Sequence, residues 1–205
     1  MYKTMMPLAF AASLLLGASA HAQSPASPDP SAVQGGVYAV EPAHTQVMFS
    51  VLHIGFTSYG GVFSKASGEL KLDPKTLAAT ELNVSVPVTT VATTSTVLDD
   101  ELRGAEWLDA GKYPAMTFHS TKITKTGPAT ADVAGELSIH GVTRPVVLKA
   151  RFIGAGVNPL DKSYTAGFQV SGEIKRSEFG VTKYVPLISD EVHLTINAAF
   201  HKKAS

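Results

Sequence analysis

Seven histidines, 17 acidic side chains and no cysteine are what this 205-residue chain offers for chemistry. A hydrolytic or transfer reaction would draw its nucleophile, base or metal ligands from them. The absence of cysteine excludes thiol nucleophiles. Ser58 stands in Gly55-Phe-Thr-Ser-Tyr-Gly60, which is not the Gly-x-Ser-x-Gly turn that presents a hydrolase serine. Gly154-Ala155-Gly156 lacks the third glycine of a dinucleotide turn and reads as a loop between strands.

Among His44, His53, His119, His140, His193 and His201, no pair has the spacing of two ligands on one helical face or a tight strand clamp, so no metal and no cofactor is expected. His140 and His193 fall on the polar side of their strands, and His119 is out of phase with Met116 and Phe118; all three are expected to face solvent. His53 differs because it continues the apolar phase of Val47, Phe49 and Val51. At the rim of any cavity it would either hydrogen-bond a ligand headgroup or cap a backbone group, and the second is the simpler expectation.

Behind these residues lies a chain whose apolar side chains recur at every second position, the period of a strand with one wet face. Leu82, Val84, Val86 and Val88 form one such series. Others are Val133 to Ile139, Val146 to Phe152, Ala166 to Ile174 and Val192 to Phe200, with shorter runs at 37–41, 61–72 and 115–122. About eight or nine antiparallel strands are predicted, closed into a barrel or stacked as a sandwich. One helix is predicted from Thr96, where Thr96-Val97-Leu98-Asp99 resembles a capping box, weakened at Gly104 and stopped by Gly111. Its Leu98 and Leu102, with Trp107 and Leu108 beyond it, would cap a cavity or patch the outside of the core. Small residues interrupt the inward stripe at Gly135, Ala150, Ala166, Gly172 and Ala198, and small inward side chains leave volume in a barrel.

The N-terminus has the three parts of a secretory signal: Lys3, an apolar run from Met5 to Leu16, and Ala20-His21-Ala22. The run is about a dozen residues against the roughly 20 that cross a bilayer, so residues 1–22 are expected to be removed and no transmembrane anchor to remain. Residues 23–36, rich in Pro, Ser and Gly, read as a flexible leader, 37–201 as one domain and 202–205 as a tail. Losing Lys3 leaves one fewer cation than the 17 Asp and Glu, a formal charge of −1. That near-neutral surface argues against nucleic acid and anionic headgroups as partners.

Several segments carry a family resemblance. They are Val37-Tyr-Ala-Val-Glu-Pro-Ala-His-Thr45, then Val47-x-Phe49-x-Val51-x-His53-x-Gly55, Leu102-Arg103 with Trp107-Leu-Asp109, Tyr113-Pro114 and Thr117-Phe118-x-Ser120-Thr121. Gly135-x-Leu137-x-Ile-His-Gly-Val-Thr-Arg-Pro-Val146, Arg176-Ser177-x-Phe179-Gly180 and Ser189-Asp-Glu-Val192 follow. In this order they resemble the YceI-like family of exported proteins, often called polyisoprenoid-binding. Glu41 stands where that family commonly has Asp, and Glu101 where many members have His.

The resemblance implies an all-β fold, an extended eight-stranded antiparallel lipocalin-like barrel with one short inserted helix. It implies no catalysis and a periplasmic carrier that holds an isoprenoid, a quinone-like molecule or another long-chain lipid. The expected lining is Phe49, Val51, Leu82, Val84, Phe118, Leu137, Leu148, Phe168, Leu194 and Ile196. Two other readings compete: an envelope module that stabilises a partner, and a lipid-acting enzyme with His53 or His44 as base. A homodimer stays open, as does contact of His53, His44 or Arg103 with a headgroup.

Overall fold

The structure, a computed structural model, describes residues 24–77 and 80–204. The signal segment 1–22, with Gln23, lies outside the described residues. Ten strands run antiparallel: β1 (Gly36–Val40), β2 (Gln46–His53), β3 (Thr57–Phe63), β4 (Ser67–Leu72), β5 (Glu81–Pro87), β6 (Ala115–Lys125), β7 (Thr130–Ile139), β8 (Val142–Val157), β9 (Tyr164–Lys175) and β10 (Glu191–Lys202). The helix α1 spans Thr96–Arg103.

β10 closes the sheet. Its C-terminal residues pair with β1 (Val40 opposite Phe200), while its first half pairs with β2 (Phe49 opposite Leu194). β1 and β2 are therefore two halves of one interrupted strand. β4 lies beside β1 and β3 beside β2, which makes a second interrupted strand. Ten segments thus build a closed barrel of eight strands, which removes the sandwich alternative. The alternating pattern explains the closure: with one apolar face along every strand, curling the sheet on itself buries that face and leaves no long free edge.

Irregularities fall where the barrel bends. Register shifts between Ser120 and Lys122 in β6 and between Phe152 and Gly154 in β8, the signature of bulges that re-aim a strand. The second bulge leaves Ile153 exposed and carries β8 through Gly154-Ala155-Gly156, so those glycines belong to a strand and not to the loop expected of them. They have a use there. Ser27 exchanges both backbone hydrogen bonds with Ala155 at 2.9 Å, and a Cβ on Gly156 would lie 2.2 Å from the Pro25 carbonyl.

The segment expected to be a free leader is thereby laid along the barrel. A short 3-10 turn at Pro30–Ala32, capped by the Asp29 side chain, directs Val33 onto the core. The Tyr38 hydroxyl donates to the Gln34 carbonyl at 2.5 Å, and burial of this fully enclosed phenol pushes its pKa up to about 12.

The helix also departs from its expected cap. Ser95, one residue earlier than Thr96, is the N-cap and accepts from the Leu98 amide, and α1 stops at Gly104, well before Gly111. Asp99 turns inward and accepts from the Thr93 amide at 2.6 Å and its hydroxyl at 2.7 Å, tying the helix to the segment that leaves β5.

His140, expected to face solvent, is half-buried because it occupies a tight turn. Both His140 and Gly141 have positive φ, 51° and 75°, as a two-residue primed hairpin between β7 and β8 requires. The ring then packs edge-on against Tyr113 at 5.0 Å, with Nδ1 3.3 Å from the Phe179 carbonyl. His119 and His193 do face solvent, beside Asn83 and Glu173.

Candidate ligand cavity

Inside the barrel runs a cavity of about 790 Å³, within the range of roughly 300–1,000 Å³ typical of small-molecule sites. Pro30 and Val33 line one end, and His53, Tyr59 and Tyr184 line the other. Each of the ten residues expected to line it lies on its wall: Phe49 and Val51 from β2, Leu82 and Val84 from β5, Phe118 from β6, Leu137 from β7, Leu148 from β8, Phe168 from β9, and Leu194 and Ile196 from β10.

The source of the hollow space needs one correction. Ala150 and Ala198 do line the cavity, but the glycines do not leave gaps. A Cβ on Gly135 would meet the Phe118 ring at 2.4 Å, and one on Gly172 would meet the Leu148 side chain at 2.5 Å. Each glycine is the seat of a large neighbour on an adjacent strand. Ala166 is fully buried in the core and does not face the cavity. The volume comes from the alanines and from the girth of the eight-stranded ring.

Leu98, Leu102, Trp107 and Leu108 also line the cavity, so the inserted helix and the turns after it roof one end. The chain from 176 to 190 completes the roof. It is organised by Arg176, a 6% exposed arginine that donates to four carbonyls: Nε to Ser189 at 2.9 Å, Nη1 to Val181 at 3.0 Å and Lys183 at 2.8 Å, and Nη2 to Ile188 at 2.9 Å. Its guanidinium lies 5.4 Å over the Trp107 ring, which joins the two halves of the roof. Burial pushes the Arg176 pKa below its ordinary value, and the nearby Asp190 charge pulls it back. Asp190 in turn accepts from the Ser177 amide at 2.8 Å and hydroxyl at 2.7 Å.

A second tie crosses the roof outside Arg176. Glu101 accepts from Trp107 Nε1 at 3.0 Å, and Lys183 lies 3.2 Å from Glu101 and 2.7 Å from Glu106. Glu101 therefore serves the roof. Arg103 does the same, donating to the carbonyls of Thr89 and Val91. His44 is an exposed residue whose Nδ1 sits 2.6 Å from Glu41, outside the cavity lining. His53 is on the lining, and among the described residues no side chain or backbone group hydrogen-bonds its ring, so the backbone-capping expectation for it does not hold.

The titration of the roof follows from these contacts. The Trp107 hydrogen bond, reinforced by Lys183, holds the Glu101 carboxyl below its ordinary range. Burial pushes Asp190 up, but the Ser177 hydrogen bonds outweigh it and leave its pKa lowered. The bond to Glu106, then that to Glu101, raises Lys183. Depressed carboxylates contribute stability that is complete above their unfolded values, about 4, and lost as pH falls through the folded ones; the raised lysine contributes fully below about 10.4 and loses it on further alkalinisation. The roof should stay closed from about pH 5 to 10 and loosen in acid. Trp107 is the single tryptophan, so its emission should shift to the red below about pH 4 while the far-ultraviolet strand signal persists. Emission that stays constant until the strands melt would refute this.

Comparison with known proteins adds lineage to this geometry. Residues 38–200 match the family described as the YceI-like domain. Protein YceI of Escherichia coli O6:H1 is 38% identical over 157 residues, 77% of this chain and 81% of that protein. A UPF0312 protein of Azotobacter vinelandii is 36% identical over the same shares. Among solved structures, Burkholderia cenocepacia BcnA superposes with a TM-score of 0.70 at 26% identity, covering 78% of this chain and 98% of its own. A polyisoprenoid binding domain from Saccharophagus degradans superposes with a TM-score of 0.62 at 14% identity, covering 83% and 100%, and shares the fold.

Proposed function

The chain belongs to the YceI-like family, and from that premise we propose that it is a periplasmic carrier that holds a long-chain apolar lipid, of isoprenoid type, inside its barrel. The observation that carries this is the cavity of about 790 Å³ inside the barrel, whose wall includes ten aliphatic and aromatic residues from seven strands and which is roofed at one end. Affinity comes from burying the chain, at roughly 0.8 kcal/mol per methylene, and it discriminates by length more than by functional group. A signal-like N-terminus supports export, and the polyisoprenoid-binding neighbour supports the class of ligand. No helix of the described residues is long and apolar enough to cross a membrane.

Mass spectrometry of protein purified without detergent should find an organic-extractable lipid, and protein stripped of it should take lipid up again from a membrane extract. Finding none in the purified protein and none after exposure would refute the proposal.

A further inference from the structure

At the roofed end, the β2–β3 hairpin and the 184–189 segment lie side by side. The Ile54 amide donates to Leu187 and the Ser189 amide to Leu52, so the two loops form one surface. That surface exposes Leu52, Ile54, Phe56, Tyr184 and Leu187, with Phe56 84% and Leu187 63% accessible. Hydrophobic side chains of this size gathered at one tip are unusual on a water-facing protein and mark a contact site. From Gln46 to Ser64 there is no Asp, Glu, Lys or Arg, and Tyr184 to Ser189 has none either. His53, Tyr59 and Ile188, close to them in the chain, line the cavity, and Tyr184 is both exposed and on the lining. The apolar interior and the apolar tip are thus continuous.

We propose that this tip docks on a lipid bilayer, with Phe56, Ile54 and Leu187 entering the interfacial region and the cavity end facing the acyl chains. Docking of this kind scales with buried apolar area and needs no cationic patch when the headgroups are zwitterionic, which suits two segments with no formal charge of their own beside Lys183, 5.1 Å from the Tyr184 ring and paired with Glu106. Tyr184 has the amphipathic ring favoured at such boundaries. A second copy of the chain fits less well. At about 200 Å² for each fully exposed side chain, five residues between 47% and 84% exposed offer about 600 Å², short of the roughly 800 Å² per partner of a standard interface. Docking stands on the surface alone; passage of ligand between bilayer and cavity rests on the carrier reading.

The chain has no cysteine, so Ser58→Cys at the tip and Leu160→Cys at the opposite end each give one labelling position for an environment-sensitive fluorophore on the full chain. With phosphatidylcholine vesicles, the label at 58 should shift to the blue and be quenched by brominated lipid, and the label at 160 should not. No change at 58, equal change at both positions, or a shift at 58 that grows with protein concentration without vesicles overturns the proposal, the last in favour of self-association. Phe56→Asp with Leu187→Asp, neither of which lines the cavity, should reduce quenching at 58 by at least about tenfold. Uptake of an apolar fluorescent dye should be unchanged in that variant. Dye uptake without quenching at 58 overturns docking and leaves the carrier intact, whereas quenching without dye uptake supports docking and overturns the carrier.

Discussion

Arg176→Met is expected to lower unfolding stability by about 3–5 kcal/mol and to open the 181–189 segment to protease. Hydrogen bonds from a charged donor contribute roughly 1.5–3 kcal/mol each, and stranding their acceptors in a buried site adds a desolvation cost. Four carbonyls from one short segment converge on this guanidinium, and no other side chain of the described residues is hydrogen-bonded to them. Methionine matches much of the arginine's length and offers no donor, so the change isolates the hydrogen bonds from the packing against Trp107. Arg176→Lys should recover little, because an ammonium has three donors on one atom and cannot span the positions a planar fork reaches. Urea midpoints and mapped proteolysis measure both variants. A lysine variant as stable as the unsubstituted chain would show that charge, and not fork geometry, holds the roof.

The second large effect is on binding. Leu194→Arg should cut apolar-ligand uptake by about a hundredfold or more. Leu194 sits on β10 between Phe49 of β2 and Gly172 of β9 and faces the cavity. An arginine there either stays in the lumen with its hydration, displacing ligand, or forces the barrel to admit water; both remove the apolar volume that supplies affinity. Leu194→Met, close in volume and still apolar, should bind as before. Far-ultraviolet dichroism of both variants separates lost binding from lost folding, and a folded arginine variant with undiminished uptake would contradict the assigned lining.

Period-two alternation made the wall of the cavity readable in the sequence, because in a one-faced strand the phase of a residue determines which side it occupies. Phe49, Val84, Leu148 and Ile196 needed nothing more. The roof was unreadable for the converse reason. Residues 176–190 have no periodicity, and their shape depends on backbone carbonyls converging on Arg176, a feature that leaves no trace in spacing beyond a family motif. Gly135 and Gly172 looked like missing bulk, since composition cannot tell that Phe118 and Leu148 from neighbouring strands lie over them. The seat of the leader is hidden for a similar reason: its Pro, Ser and Gly content says little, while the Gly154-Ala155-Gly156 stretch that receives it lies about 130 residues away. Strand phase points His140 outward, yet the residue occupies a hairpin turn where that phase no longer applies.

Closure through β10 imposes an order on folding. Tyr38 lies opposite Lys202 and Phe49 opposite Leu194, so one edge of β1 and one of β2 are paired only when the last strand is present. Until then β1, β2 and β9 carry unpaired edges, and the apolar lining is open to water and to other chains. Contacts of such long sequence separation slow folding and prolong the aggregation-prone interval. A chain lacking residues from Val192 onward should accordingly remain an open, self-associating sheet, whereas losses at the other terminus that spare β1 leave the ring able to close.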